Sequence, residues 1–151
     1  MDGVEKMVIL IAFLVTLVLD QLTKYLVVKN FTLYQSIPII KDVFHLTYVQ
    51  NRGAAFGILQ NQVTFFIVIS IVVIGLLIYF YHELPLDNFW NRFALGLALG
   101  GTIGNLIDRV RVGYVIDFLD FRIWPVFNIA DSAIVVGVSI FSYWMLVIDV
   151  D

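Results

Sequence analysis

The chain has 151 residues, of which 61% are hydrophobic and 14% charged, whereas ordinary soluble domains carry about a quarter charged residues. A water-soluble domain of this length buries only about two-thirds of the surface its chain exposes, so this composition excludes a soluble globule and makes lipid the expected solvent. A net charge of -3 argues against a nucleic-acid binder, and the absence of cysteine rules out disulfides, thiolate metal sites and a cysteine nucleophile.

A helix needs about 20 mostly apolar residues to cross the hydrocarbon core. Four stretches qualify, predicting a mainly α integral membrane protein built as one domain over residues 1–151, with helices at about 7–28, 63–81, 93–109 and 126–148. The first is charge-free from Met7 to Leu19 and continues past Asp20 and Lys24. No small-residue cleavage site follows it, so it is expected to be retained rather than removed as a secretory signal. Residues from about 30 to 62 are too polar to span and too apolar for a plain solvated loop. There Phe44, Leu46 and Tyr48 alternate with His45, Thr47 and Val49 after Pro38, which suits a half-buried strand in a small sheet at the membrane surface. The second span is uncharged throughout, and His82 to Asn91, with Pro85 and Asp87, has the composition of a connector. The third is glycine-rich and needs Asp108 and Arg109 to complete its last turn. An interfacial loop over about 110–125 carries Tyr114 and Trp124, types enriched at headgroup level. The fourth has Asn128 and Asp131 in its opening turns.

Consecutive helices joined by short connections run antiparallel. The end of span one, the start of span two, the end of span three and the start of span four therefore share one membrane side. Asp20, Lys24, Asn51, Arg52, Asn105, Asp108, Arg109, Asp117, Asn128 and Asp131 all fall on that side. An ionised group deep in a bilayer costs about 2.5–3.5 kcal/mol on the mildest scale and usually faces the protein interior, so a shared polar pocket near one interface is expected. Asp20 and Lys24 are i,i+4, and Asn105 with Asp108 and Asn128 with Asp131 are i,i+3, so each pair occupies one helix face. Gly96, Gly100 and Gly104 form a stripe better suited to close helix packing than to chemistry.

Asp117 and Asp131 have no basic residue within four positions. If they face each other, repulsion and partial desolvation favour one shared proton, so that one carboxyl serves as base and the other as acid. Equally, Asp131 in an opening turn suits a helix-dipole partner. Asp20 with Lys24, and Asp108 with Arg109, are expected as structural ion pairs rather than as catalysts. Asn51 and Asn128 could satisfy backbone groups or bind a substrate's peptide groups. His45 and His82 lack metalloprotease spacing and Ser132 lacks a nucleophile elbow, so metal and serine chemistry are set aside.

Five blocks in order resemble the lipoprotein signal peptidase (signal peptidase II) family: Asp20-Gln21-Leu22-Thr23-Lys24, Asn51-Arg52-Gly53-Ala54-Ala55-Phe56, the run from Gly100 to Arg109, Val115-Ile116-Asp117-Phe118, and Phe127-Asn128-Ile129-Ala130-Asp131. The resemblance implies an aspartic endopeptidase of the bacterial inner membrane that cuts signal peptides from prolipoproteins just before the diacylglyceryl cysteine. It implies Asp117 and Asp131 as the catalytic pair. Asn51, Asn105, Asp108, Arg109, Asn128 and Ala130 match positions lining or bracing the site, and Asp20 and Lys24 match a supporting pair. It further implies a β-cradle after the first helix, no cofactor or metal, lipid-modified precursors and membrane lipids as partners, a monomer, and a site near the outer face.

Charge opposes that orientation. It leaves Lys6 and Arg92 on the cytoplasmic side and Lys24, Lys29, Lys41, Arg52, Arg109, Arg111 and Arg122 outside, contrary to a simple positive-inside count. The family orientation is nevertheless preferred, because several of these residues lie within the matched blocks. A proton- or ion-coupled transport component, with the two aspartates relaying protons, is the alternative. A non-enzymatic assembly factor held by the glycine stripe is a third reading.

Overall fold

The computed structural model describes residues 3–53 and 59–148; Ala54, Ala55 and Phe56 of the second block lie outside the described residues. In chain order the elements are α1 (Gly3–Asn30), β1 (Ser36–Ile40), β2 (Phe44–Asn51), α2 (Val63–Tyr79), α3 (Phe89–Val112), β3 (Val115–Asp120) and α4 (Ile129–Tyr143). A 3-10 turn, Tyr81–Glu83, follows α2, and α4 runs on into a π turn at Trp144–Ile148. The fold is thus mainly α and membrane-associated, with four helices and one small antiparallel sheet among the described residues.

Local chemistry sets several boundaries. Asn88 caps α3 by accepting the Asn91 N–H at 2.9 Å, and Gly113 ends it with φ 78°, a left-handed conformation that costs glycine little. Asn128 and Asp131 open α4 with a reciprocal capping box. In contrast, α2 begins at Gln62 with no side-chain cap.

Two helices, Lys6–Asn30 and Ile129–Ile148, are long and apolar enough to cross a membrane. The 17 residues of α2 rise only about 26 Å at 1.5 Å each. The 24-residue α3 has the length but carries Asn91, Arg92, Asn105, Asp108, Arg109 and Arg111. The expectation of four spans is therefore met as four helices, of which two satisfy the length-and-composition criterion.

Burial is inverted relative to a soluble protein. Asp20 and Lys24 on α1 are 0% and 1% exposed, whereas Val18 and Tyr25 on the same helix are 59% and 60% exposed. Polar groups face inward and aliphatic groups outward, as lipid demands. Close approach of α1 to α3 depends on the glycine stripe: a Cβ at Gly100 would lie 2.8 Å from the Thr16 side chain. The stripe is a packing device, as its spacing suggested.

Region 110–125 departs from the expected interfacial loop. Its first residues extend α3, and Val115–Asp120 form the third strand of a sheet ordered β1-β2-β3. Val49 and Asn51 of β2 face Asp117 and Val115 of β3 across the antiparallel ladder, with a register shift between Leu46 and Val49. The alternation over Phe44 to Val49 does produce a strand, β2. Val27, Tyr48 and Phe118 form a small core with Leu46, Ile116 and Ile129 packed against it. That core locks the sheet to the end of α1 and the start of α4, which places β3 beside the polar ends of three helices.

Candidate active site

Asp117 stands in the middle of β3, 1% exposed. The Asn51 side-chain amide donates to its Oδ2 at 2.9 Å, and that of Asn128 donates to its Oδ1 at 2.7 Å. Both amide orientations follow from unambiguous donors. The Gly53 N–H occupies Asn51 Oδ1 at 3.0 Å and the Asp131 N–H occupies Asn128 Oδ1 at 2.8 Å, so each Nδ2 must turn to Asp117. Asp131, the third residue of α4, accepts the Asn128 N–H on Oδ2 at 3.3 Å and the Asn105 amide on Oδ1 at 2.7 Å. Asp131 therefore caps α4 with one carboxyl oxygen while the other accepts from Asn105.

Burial, and next the negative charge of Asp131, push the Asp117 carboxyl up to about 7, against the hydrogen bonds from Asn51 and Asn128 and the attraction of Lys24. Asp117 thus feels the charge of Asp131, and a proton held on Asp117 is the expected state below about pH 7.

Behind this pair lies a second layer. Lys24 makes ion pairs of 2.8 Å with both Asp20 and Asp108 and donates to Asn105 Oδ1 at 3.0 Å. The three protons of the ammonium are all used. Asp20 Oδ1 accepts the Ala130 N–H at 2.9 Å, tying α1 to the first turn of α4. Asp108 Oδ2 also accepts the Ile116 N–H at 3.2 Å, which fixes the strand residue before Asp117. Ala130 is fully buried against this layer.

Asn51, Asn105, Asp108, Asn128, Ala130, Asp20 and Lys24 therefore converge with the two acids. The expected Asp108–Arg109 pair is a correction: Asp108 pairs with Lys24. Adjacent helix residues point about 100° apart, so a carboxylate and its next neighbour diverge. The Arg109 guanidinium instead sits 5.0 Å from the Phe66 ring centroid, a cation–π contact to α2. Its electrostatic attraction is to Asp131, then Asp117, then Asp108. His45 bonds to Ser36 in the sheet, and the Ser132 hydroxyl donates to the Asn128 carbonyl at 3.0 Å.

Two contributors were not expected at the site: Gln21 had no role beyond its place in the first block, and Gly104 was expected only as part of the packing stripe. Gln21 donates to Asp20, to the Gly104 carbonyl and to Asp108 at 3.1–3.2 Å. Its position three residues before Lys24 on the same helix face was the available signal. Gly104 is the other, since a Cβ there would meet Asp20 Oδ2 at 2.5 Å.

Comparison with known proteins accords with this geometry. A family model described as signal peptidase (SPase) II matches residues 12–147. The lipoprotein signal peptidase of Caldanaerobacter subterraneus subsp. tengcongensis is 56% identical over 140 residues, covering 92% of this chain and 94% of that protein. That of Halothermothrix orenii is 53% identical over 135 residues, covering 89% and 92%. A solved bacterial membrane enzyme, determined by the in meso method at 2.3 Å resolution, superposes with a TM-score of 0.86 at 34% identity over 91% of this chain and 87% of that one. The transport and assembly-factor readings receive no support from these relatives. With the match running nearly end to end, and a buried Asp117 and a half-buried Asp131 both bonded to Asn128, the chain belongs to the signal peptidase II family of aspartic endopeptidases.

Proposed function

We propose that this protein removes signal peptides from lipid-modified bacterial prolipoproteins, cutting before the diacylglyceryl cysteine, with Asp117 and Asp131 as the catalytic pair. The observation that carries the reading is the Asn128 side chain. It bonds one acid through its amide nitrogen and the backbone of the other through its oxygen, setting the buried Asp117 beside the half-buried Asp131.

The ionised member takes a proton from water as the water oxygen attacks the scissile carbonyl carbon. The protonated member gives its proton to the carbonyl oxygen, leaving a gem-diol. The C–N bond then breaks as the first acid passes its new proton to the departing amine and the second recovers one from a hydroxyl. No cofactor enters. Asn51, Asn105 and Asn128 hold the acids; Asp20, Lys24, Asp108 and Ala130 hold the asparagines and helix ends; Arg109 supplies positive potential near the pair. General acid–base help of this kind is worth about 10²–10⁴-fold.

In this reading the chain is one polytopic domain and a monomer. Four helices cross the inner membrane, with α2 and α3 completing the bundle begun by α1 and α4, and the site opens near the outer face. Water reaches the acids from that face while the precursor's acyl chains stay in lipid. Cysteine labelling from each side, with the connector at residues 82–91 reactive only from the cytoplasm, tests the orientation; outside reactivity there overturns it.

The activity is tested by a gel-shift assay with lipid-modified and unmodified precursors. Wild type is expected to cleave only the modified form, and folded Asp117→Asn and Asp131→Asn proteins to cleave neither. Normal turnover by either variant would overturn the assignment.

A further inference from the structure

The structure distinguishes the two acids. The Lys24 ammonium can only donate, so Asn105 must present its oxygen to Lys24 and therefore its amide to Asp131. The Asn128 amide, also directed at Asn105 Oδ1 at 3.1 Å, imposes the same orientation. Asp131 consequently receives a side-chain amide that is itself polarised by a cation, plus the backbone N–H of Asn128. It also occupies the first turn of α4, where the helix dipole favours negative charge. Asp117 lies in a strand, where no such dipole acts, and its two partners are neutral amides held by backbone N–H groups.

We propose that Lys24 is a positioning residue that, through Asn105, keeps Asp131 as the carboxylate that activates water and leaves the shared proton on Asp117. This rests on the peptidase reading above and deepens it by assigning the base and the acid. The charged groups bearing on Asp131 are Lys24 and Asp20 from α1, Arg109 from α3 and Asp117 from β3. Lys24 is shared by Asp20 and Asp108 and cancels only one of their two charges, so the Asp131 carboxylate is favoured by its close donors, the Asn105 amide that Lys24 orients and the Asn128 N–H, together with the attraction of Arg109. The elevated titration of Asp117 agrees with its holding the proton.

Infrared difference spectra of the full protein in hydrated bilayers at pH 5 test the assignment directly. Subtracting Asp117→Asn from wild type is expected to reveal the loss of a protonated-carboxyl carbonyl band. Subtracting Asp131→Asn is expected to reveal the loss of an ionised-carboxylate band. The opposite pattern overturns the proposal while leaving the peptidase reading intact. Full cleavage by either Asn variant would overturn that reading instead.

Kinetics supply the test of Lys24. An opposite charge nearby shifts a carboxyl by about 1–3 pH units, so Lys24→Met is expected to move the acid limb of kcat upward by about one unit or more, with KM within about twofold. Lys24→Arg, which keeps the charge, is expected to return the limb towards the wild-type position. A folded, active Lys24→Met protein with an unmoved acid limb would show a purely structural role and overturn the proposal. If Lys24→Met does not fold, the infrared pattern decides alone.

Discussion

Helices α1 and α2 are both apolar, yet they spend their interiors differently. The inner face of α1 carries Thr16, Asp20 and Lys24, all at most 4% exposed, and through them it is fastened to α3 and α4. The only buried residue of α2 is Ser70, whose hydroxyl donates to its own helix at the Phe66 carbonyl, 2.8 Å away. A lipid-facing surface is common to both. What separates them is whether the inward face holds charge, and a charge held there is tolerable only because each of its partners is supplied by another element. The site is thus a property of inward polar positions, not of hydrophobicity.

The sharpest way to break the comparison is to remove charge at the two proposed catalytic acids. Asp117→Asn or Asp131→Asn is expected to lower kcat by about 10³-fold, within the range of general acid–base catalysis, in protein that is folded by thermal unfolding. A second test is pH. Because Asp117 is raised from 3.8 to about 7 in the folded protein, it holds its proton at acid pH and yields it as pH rises through about 7. Cleavage is expected to fall about tenfold per unit above that point if one proton is required. The same shift makes the folded state bind the extra proton. The stability it contributes is full below about pH 4 and lost as pH rises to about 7. Asp117→Asn should flatten that slope in thermal unfolding curves.

Asp20→Asn leaves the Lys24 ammonium short of one carboxylate and is expected to cost about 3 kcal/mol, as broken buried pairs do, read by the same unfolding assay. Glycine substitutions sharpen the contrast between helices. Gly104→Ala forces a Cβ into Asp20 and is expected to lower both stability and cleavage, whereas Gly75→Ala in α2 meets nothing within 4 Å. The latter is expected to be neutral or to gain up to about 1 kcal/mol from helix propensity. The smallest effect belongs to Ser70→Ala, expected below about 1 kcal/mol with cleavage unchanged.

Charge-free runs made the four helices legible, and the clustering of polar residues at one end made the site legible. The partner of Asp108 was not, because the choice between Arg109 and Lys24 depends on helix rotation and on packing across 84 positions of chain. Nor was β3. In Val115–Asp120 residues of both faces are buried, so the period-two signal that revealed β2 is absent. Its strand character comes from pairing with β2, far away in sequence. The short α2 shows a related limit: composition finds an apolar run, while its end at Tyr79 rather than residue 81 is set by the 3-10 turn that follows.

Between the two acids the chain doubles back, and the Phe127 carbonyl accepts the N–H groups of Phe118 and Leu119 at 2.9 and 2.8 Å while the Phe127 N–H returns to Leu119. Asp117 lies beside this self-clasped segment and Asp131 in the first turn of α4 just after it, so the two carboxyls are joined by a short stretch of main chain. Their separation is governed by short-range main-chain geometry rather than by the tilt of distant columns. Thinner or thicker bilayers, which re-angle helices, should leave the spacing of the pair nearly constant, so turnover is expected to tolerate changes in acyl-chain length that alter how the bundle sits.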